Sequence, residues 1–140
     1  MSTGMSIQKE INKAYNYLNP NVIMHTNSVY PTPIEDLNLL YISYLRSIFP
    51  DYTKEIGYSS HYYGLVDVYC AIALGAKWIE KHICLSHQDW GSDQLSSVEP
   101  HGLIKMVKAV RDIEKALSKG DCQRTLFPGE EIKRESLRGI

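Results

Sequence analysis

The chain has 140 residues, 44% of them hydrophobic and 22% charged, a make-up that suits one compact soluble domain with a single core. With 15 Lys+Arg against 16 Asp+Glu the net charge is -1, so no long-range positive field gathers nucleic acid or anionic lipid, and neither is an expected partner. Apolar runs such as 70–76 fall far short of the roughly 18 consecutive residues of a membrane span. The first ten residues lack the basic-then-apolar order of a signal peptide, and Cys70, Cys84 and Cys122 are odd in number and unpatterned, which together point to a reducing cytoplasm.

Ile7, Ile11, Ala14, Tyr15 and Leu18 recur at helical spacing behind Ser6, a suitable N-cap, and Asn19-Pro20 ends that first helix. The apolar run 21–26, closed by Asn27-Ser28, predicts a buried strand. Thr32-Pro33-Ile34-Glu35 offers a capping Thr, a Pro at the first helical position and an early acid, so a helix is expected from there through Leu37, Leu40, Tyr41, Tyr44, Leu45 and Ile48 to a break at Pro50-Asp51. Residues 55–59 form a brief second strand, 65–74 a compact apolar helix stopped by Gly75, and 77–83 a third strand. Glu99-Pro100 opens a longer helix with Leu103, Val107, Val110, Ile113 and Leu117 inward, ended by Gly120. The remainder, 121–140, is polar and shows no clear period, which divides the chain into a domain over 1–120 and a tail.

Strand and helix units repeating at about thirty residues predict an α/β fold with a parallel sheet, because parallel neighbours need a helix-length return. Active groups in such sheets sit where strands end, and the ends here are unusually polar: His25-Thr26-Asn27-Ser28, Ser59-Ser60-His61 and Glu80-Lys81-His82. His61 and His82 each close a strand and stand 21 residues apart, one crossover helix plus turns, so they should be neighbours. Two neutral imidazoles at one rim can hold a divalent cation and leave positions open for substrate oxygens. The same positions also suit two unrelated histidines, one packed and one solvated. Cys84 lacks the partners of a zinc set and reads as a buried free thiol. His25, inside an apolar run, reads as a hydrogen-bonded core residue behind the site. Tyr30 on its loop can pack or present a hydroxyl to a sugar, Asp93 in Trp90-Gly91-Ser92-Asp93 is a turn carboxylate, and Glu80 and Lys81 point to opposite sides of their strand without an identifiable partner.

Taken in order, Ser2-Thr3-Gly4-Met5-Ser6, His25 with Tyr30-Pro31-Thr32-Pro33, Ile56-Gly57-Tyr58-Ser59-Ser60-His61, Ile79-Glu80-Lys81-His82 and Gly91-Ser92-Asp93 with Ser97-Val98-Glu99-Pro100 resemble the sialic acid synthase family. Its members condense phosphoenolpyruvate with N-acetylmannosamine or a related sugar, and the match runs over nearly all of 1–120. The resemblance implies a (β/α)8 TIM barrel of which this chain holds the C-terminal half, from the end of the fifth strand at Ser2-Thr3-Gly4, since a whole barrel needs about 250 residues. It implies that His61 and His82 are catalytic as holders of a divalent metal, manganese or magnesium. It further implies that Ser2, Ser28 and Ser59 contact phosphoenolpyruvate, and that Tyr30 and Asp93 address the N-acetylated amino sugar. Ser60 stands where many members have Asp or Gly, and Thr26 where Cys is common.

In the implied chemistry the enol carbon of phosphoenolpyruvate attacks the aldehyde carbon of the open-chain sugar, water adds at C2, and phosphate leaves by C–O cleavage. Most of the donor's phosphate contacts would belong to strands this chain lacks. The expected partner is therefore a complementary N-terminal half, or a second copy of the chain, with instability of the isolated half barrel as the corollary. A non-catalytic remnant of such a synthase is the competing expectation, and a two-histidine metal-dependent hydrolase on a related barrel ranks behind both.

Overall fold

A computed structural model describes residues 1–49, 54–118 and 124–139. The expected break at Pro50-Asp51, the helix stop at Gly120 and Cys122 lie outside the described residues. Three parallel strands, β1 (Val22–His25), β2 (Glu55–Ser60) and β3 (Trp78–Lys81), stand side by side in chain order. Helix α1 (Gln8–Leu18) precedes them, α2 (Leu40–Ile48) connects β1 to β2, α3 (Val66–Ala73) connects β2 to β3, and α4 (Pro100–Leu117) follows and packs on α3. The alternation expected from hydrophobic period is thus the alternation that forms. Among the described residues no helix is long and apolar enough to cross a membrane.

The core lies between sheet and helices and is made by Ile23, Ile42, Leu45, Ile56, Tyr58, Ala71 and Ala76, all buried. Parallel pairing sets Met24 opposite Gly57, Tyr58 opposite Ile79, Ser59 opposite Glu80 and Ser60 opposite Lys81. Successive side chains of a strand take opposite faces. Tyr58 and Ser60 reach Asp67 on α3, so they occupy the helix-covered face and Ser59 occupies the other. Gly57 is required by close approach: a Cβ there would stand 2.3 Å from Met24 Sδ and 2.8 Å from Trp78 Cβ.

Several local expectations are corrected. Ser6 is not the cap of α1; its hydroxyl donates to the Gly4 carbonyl, and Glu10 instead accepts the Ile7 N–H at 2.9 Å. Thr32 does not open α2. Its hydroxyl donates to the Val29 carbonyl, a short 3-10 turn covers Ile34–Asp36, and Asn38 at φ 45° breaks the run before α2 begins at Leu40. An Asn side chain tolerates that left-handed backbone, and a hydrophobic spacing that spans it conceals the interruption.

On α4 only Met106 is buried, and Val107 and Leu117 are about half exposed, because among the described residues no further layer covers that apolar stripe. The segment without period contains a fifth helix, α5 (Pro128–Arg138). Its signals are terminal rather than periodic: Pro128 at the start, acids Glu130 and Glu131 in the first turn, Arg138 in the last, and no buried residue.

His25 is buried, as a core histidine should be, and its Nε2–H donates to the Leu37 carbonyl at 2.9 Å while Nδ1 has no partner. Burial lowers its pKa below 6.5, partly opposed by the carbonyls of Leu37 and Asn38. The unfolded chain therefore takes up a proton that the native state refuses, and stability falls as pH drops from about 6.5 towards the lowered native value. The urea midpoint should decrease between pH 7 and pH 5.5, and His25→Gln should shrink that decrease. Gly57→Ala should cost about 1–3 kcal/mol by forcing β1 and β3 away from the new methyl, read in the same urea titration.

Candidate functional site

β2 and β3 end level with each other, Ser60 opposite Lys81, and the residues just past them converge. His61 and His82 each stand one residue beyond their strand, with ring centroids 5.3 Å apart and planes at 89°. Tyr30 stacks on His61 at 4.0 Å and lies 5.6 Å from His82. Asp93 brings Oδ2 to 3.7 Å from His82 Nδ1, within ion-pair range and too long for a hydrogen bond. Four of the residues singled out in the sequence, His61, His82, Tyr30 and Asp93, thus stand in one cluster, and the two histidines are the neighbours their spacing led one to expect.

Backbone bonds explain why the loops sit there. The Thr32 N–H donates to the His61 carbonyl at 2.9 Å, which ties the Tyr30 loop to the end of β2. The Val98 N–H donates to the His82 carbonyl at 2.8 Å, and the Ser97 hydroxyl donates to the Asp93 carbonyl at 2.9 Å, which ties the Asp93 turn to the end of β3. His61 Nδ1 lies 2.6 Å from the Asn27 carbonyl. A carbonyl only accepts, so Nδ1 carries the proton and the Nε2 lone pair is left to face a ligand. This is the tautomer a metal-binding imidazole adopts, its far nitrogen oriented by a backbone oxygen. Among the described residues no group of three or more His, Cys, Asp or Glu side chains that could hold a metal ion is assembled.

The serines divide differently. Ser2 is exposed and forms a parallel bridge to Met24, beside β1, and Gly4 follows it. A Cβ on Gly4 would stand 2.4 Å from Ser28 Oγ and 3.8 Å from Ser2 Oγ, so Ser2, Gly4 and Ser28 are close neighbours. A cleft of about 580 Å³ is lined by Thr3, Gln8, His25, Ser28, Asp36 and Tyr41, and neither His61 nor His82 lines it. Ser59 is buried and donates its hydroxyl to Glu80 Oε1 at 2.7 Å. With its one proton committed to a carboxylate, Ser59 must rotate its hydroxyl before it can donate to an anion.

Glu80 and Lys81 were legible as opposite-facing neighbours, but their partners Ser59 and Ser60 follow from strand register, which no local pattern encodes. Asn27, whose carbonyl selects the His61 tautomer, also escapes a sequence reading, since the acting group is backbone. Cys84 is a free thiol, expected to be buried and found only partly so, with its pKa raised by desolvation and by Glu99 and Asp89.

Comparison with known proteins supports the resemblance. A family model described as "NeuB family" matches residues 1–122. The chain is 40% identical to human N-acetylneuraminate-9-phosphate synthase over 95% of its own length and 36% of that protein. It is 35% identical to the N,N'-diacetyllegionaminic acid synthase of Campylobacter jejuni, over 86% of the chain and 37% of that enzyme. Among solved structures, the N-acetylneuraminic acid synthetase of Leptospira borgpetersenii superposes with a TM-score of 0.82 at 35% identity, covering 98% of this chain and 49% of that one. The chain spans little more than a third of the length of the curated relatives it matches. With a family model covering most of its length and the motif series in register, the chain belongs to the NeuB family of sialic acid synthase homologues.

Proposed function

We propose that this chain supplies the metal- and sugar-facing part of a synthase that condenses phosphoenolpyruvate with N-acetylmannosamine or a related sugar and releases phosphate, in nonulosonic acid biosynthesis. The observation that carries the reading is the His61–His82 pair, edge to face at 5.3 Å with a free Nε2 on His61, flanked by Tyr30 and Asp93. Members of the family named for such synthases share the segment over residues 1–122. In this reading the three strands are the last three of a (β/α)8 barrel, and the parallel bridge from Ser2 to Met24 marks the end of the strand before them.

His61 and His82 are the proposed ligands of manganese or magnesium; when bound, such a cation supplies Lewis-acid polarisation of the acceptor aldehyde. The chain's own residues do the rest. Asp93 accepts hydrogen bonds from the sugar's hydroxyls and orients it, and Tyr30 offers a flat wall and a phenol to the same ligand. Ser2 and Ser28 donate to the carboxylate or phosphate of the donor, and Ser59 joins them once its hydroxyl turns away from Glu80. The main countercharge to the donor comes from a complementary N-terminal half, so the isolated chain holds the acceptor side without gripping the donor in line.

Isothermal titration with manganese tests the centre directly: one site on the wild-type chain, weakened by ten-fold or more in both His61→Ala and His82→Ala. Equal affinity in all three would refute the metal assignment. For the activity, the chain alone should be inactive. Mixed or fused with the N-terminal half of a relative, it should release phosphate from phosphoenolpyruvate only when an N-acetylmannosamine-type acceptor is present. In that assembly His82→Ala should abolish turnover and Asp93→Ala should chiefly raise KM for the sugar. Release without acceptor, or release indifferent to chelator, would exclude the synthase reading.

A further inference from the structure

On the helix-covered face of the sheet, directly behind the histidines, four polar side chains are joined in a line that the chemistry above does not use. Asp67 of α3 is fully buried, and its Oδ2 accepts from the Tyr58 hydroxyl at 2.9 Å and the Ser60 hydroxyl at 2.6 Å. Lys81 Nζ donates to Ser60 Oγ at 2.9 Å and to the Tyr62 carbonyl at 2.7 Å. The directions follow from the proton inventory. Ser60 has one hydroxyl proton, which goes to the carboxylate, and its lone pair receives the ammonium. A buried anion and a half-buried cation are thereby coupled through one hydroxyl, in a setting where either charge alone would be costly. Burial lowers the Lys81 pKa and Asp67 raises it, while the Tyr58 phenol is pushed well above its ordinary value of 10, by burial first and then by Asp67.

Placement gives the line its meaning. The β2–β3 ladder ends with Ser60 opposite Lys81. One residue further on, the His61 carbonyl is bound by the Thr32 N–H and the His82 carbonyl by the Val98 N–H, so each histidine is tied to its own loop. Lys81 immediately precedes His82, and its two acceptors, Ser60 and Tyr62, flank His61. The ammonium therefore bridges the two strand ends where the ladder has stopped.

We propose that Lys81 is a positioning residue that fixes the spacing of His61 and His82, with Ser60 and the buried Asp67 as its anchor. The proposal rests on the reading of the histidine pair as the working centre. A methionine at 81 keeps the stem and loses the donors, leaving the Tyr62 carbonyl unpaired. An arginine keeps donors of the same charge.

Nuclear Overhauser contacts between the His61 and His82 ring protons, measured on the full 140-residue chain with labelled histidine, read that spacing without metal. Wild type and Lys81→Arg should show the ring–ring cross-peak; Lys81→Met should lose it or weaken it at least two-fold, with the Ile23 and Ile56 core signals unchanged. Should Lys81→Met not fold, Ser60→Ala, which cuts the anchor but spares the Tyr62 contact, should weaken the cross-peak instead. An unchanged cross-peak in the folded Lys81→Met chain, or in Ser60→Ala when that variant stands in for it, would overturn the proposal. Manganese binding, followed by the electron paramagnetic resonance of the free ion, separates the two levels. Spacing that depends on Lys81 in a chain that binds no manganese leaves the positioning role standing and removes the metal reading. Manganese binding with spacing indifferent to residue 81 does the reverse.

Discussion

The register of β2 on β3 is the constraint from which the rest of the molecule follows. Setting Ser59 against Glu80 and Ser60 against Lys81 sends two polar pairs to opposite faces of the sheet and leaves His61 and His82 as the next residues on adjacent strands. A slip of one residue would bring Ser60 opposite Glu80, facing the wrong side, and would separate the histidines along the strand axis. Parallel ladder bonds alone specify register weakly. Here the side-chain pairs across the ladder specify it, since Ser59 meets Glu80 and Ser60 meets Lys81 only in this register.

The two faces answer different electrostatic demands. Behind the sheet, a carboxylate with no exposure is coupled to an ammonium through a serine, and its second oxygen, Oδ1, is left without a partner. Such a network adds little net stability over an apolar core of the same volume, but it permits one arrangement and penalises others. On the opposite face Ser59 and Glu80 form a single bond close to the strand ends, where a hydroxyl that can turn is useful to a ligand and a rigid one is not. Above both, the rim is assembled by backbone bonds from loops to strand ends, so the geometry of Tyr30 and Asp93 relative to the histidines does not depend on their own side chains.

The apolar balance is uneven in the same molecule. The α2 and α3 side buries Ile42, Leu45, Val68 and Ala71 completely, whereas Trp78 on the sheet and Ile104, Val107 and Leu117 on α4 stand half exposed or more. Surface of that kind gains free energy when covered, at roughly 25 cal/mol per Å². Its location, around the β3 side of the sheet, is where the proposed complementary half would add its strands and helices.

Hydrophobic period and helix punctuation by themselves determined the order and type of β1 through α4, because each buries one face and so writes its period into the sequence. They determined the clustering of His61 and His82 too, since a crossover of fixed length delivers successive strand ends to one rim. The N-terminus of α2 and the whole of α5 were misjudged where local backbone chemistry, Asn38 in the left-handed region and the charged termini of an exposed helix, overrides or replaces periodicity. The tautomer of His61, the commitment of the Ser59 proton to Glu80 and the line from Asp67 to Lys81 were decided only in the tertiary structure. Each depends on which residue stands opposite which across a ladder, or on where a backbone carbonyl points, and these are relations between segments distant in the chain that no single segment carries.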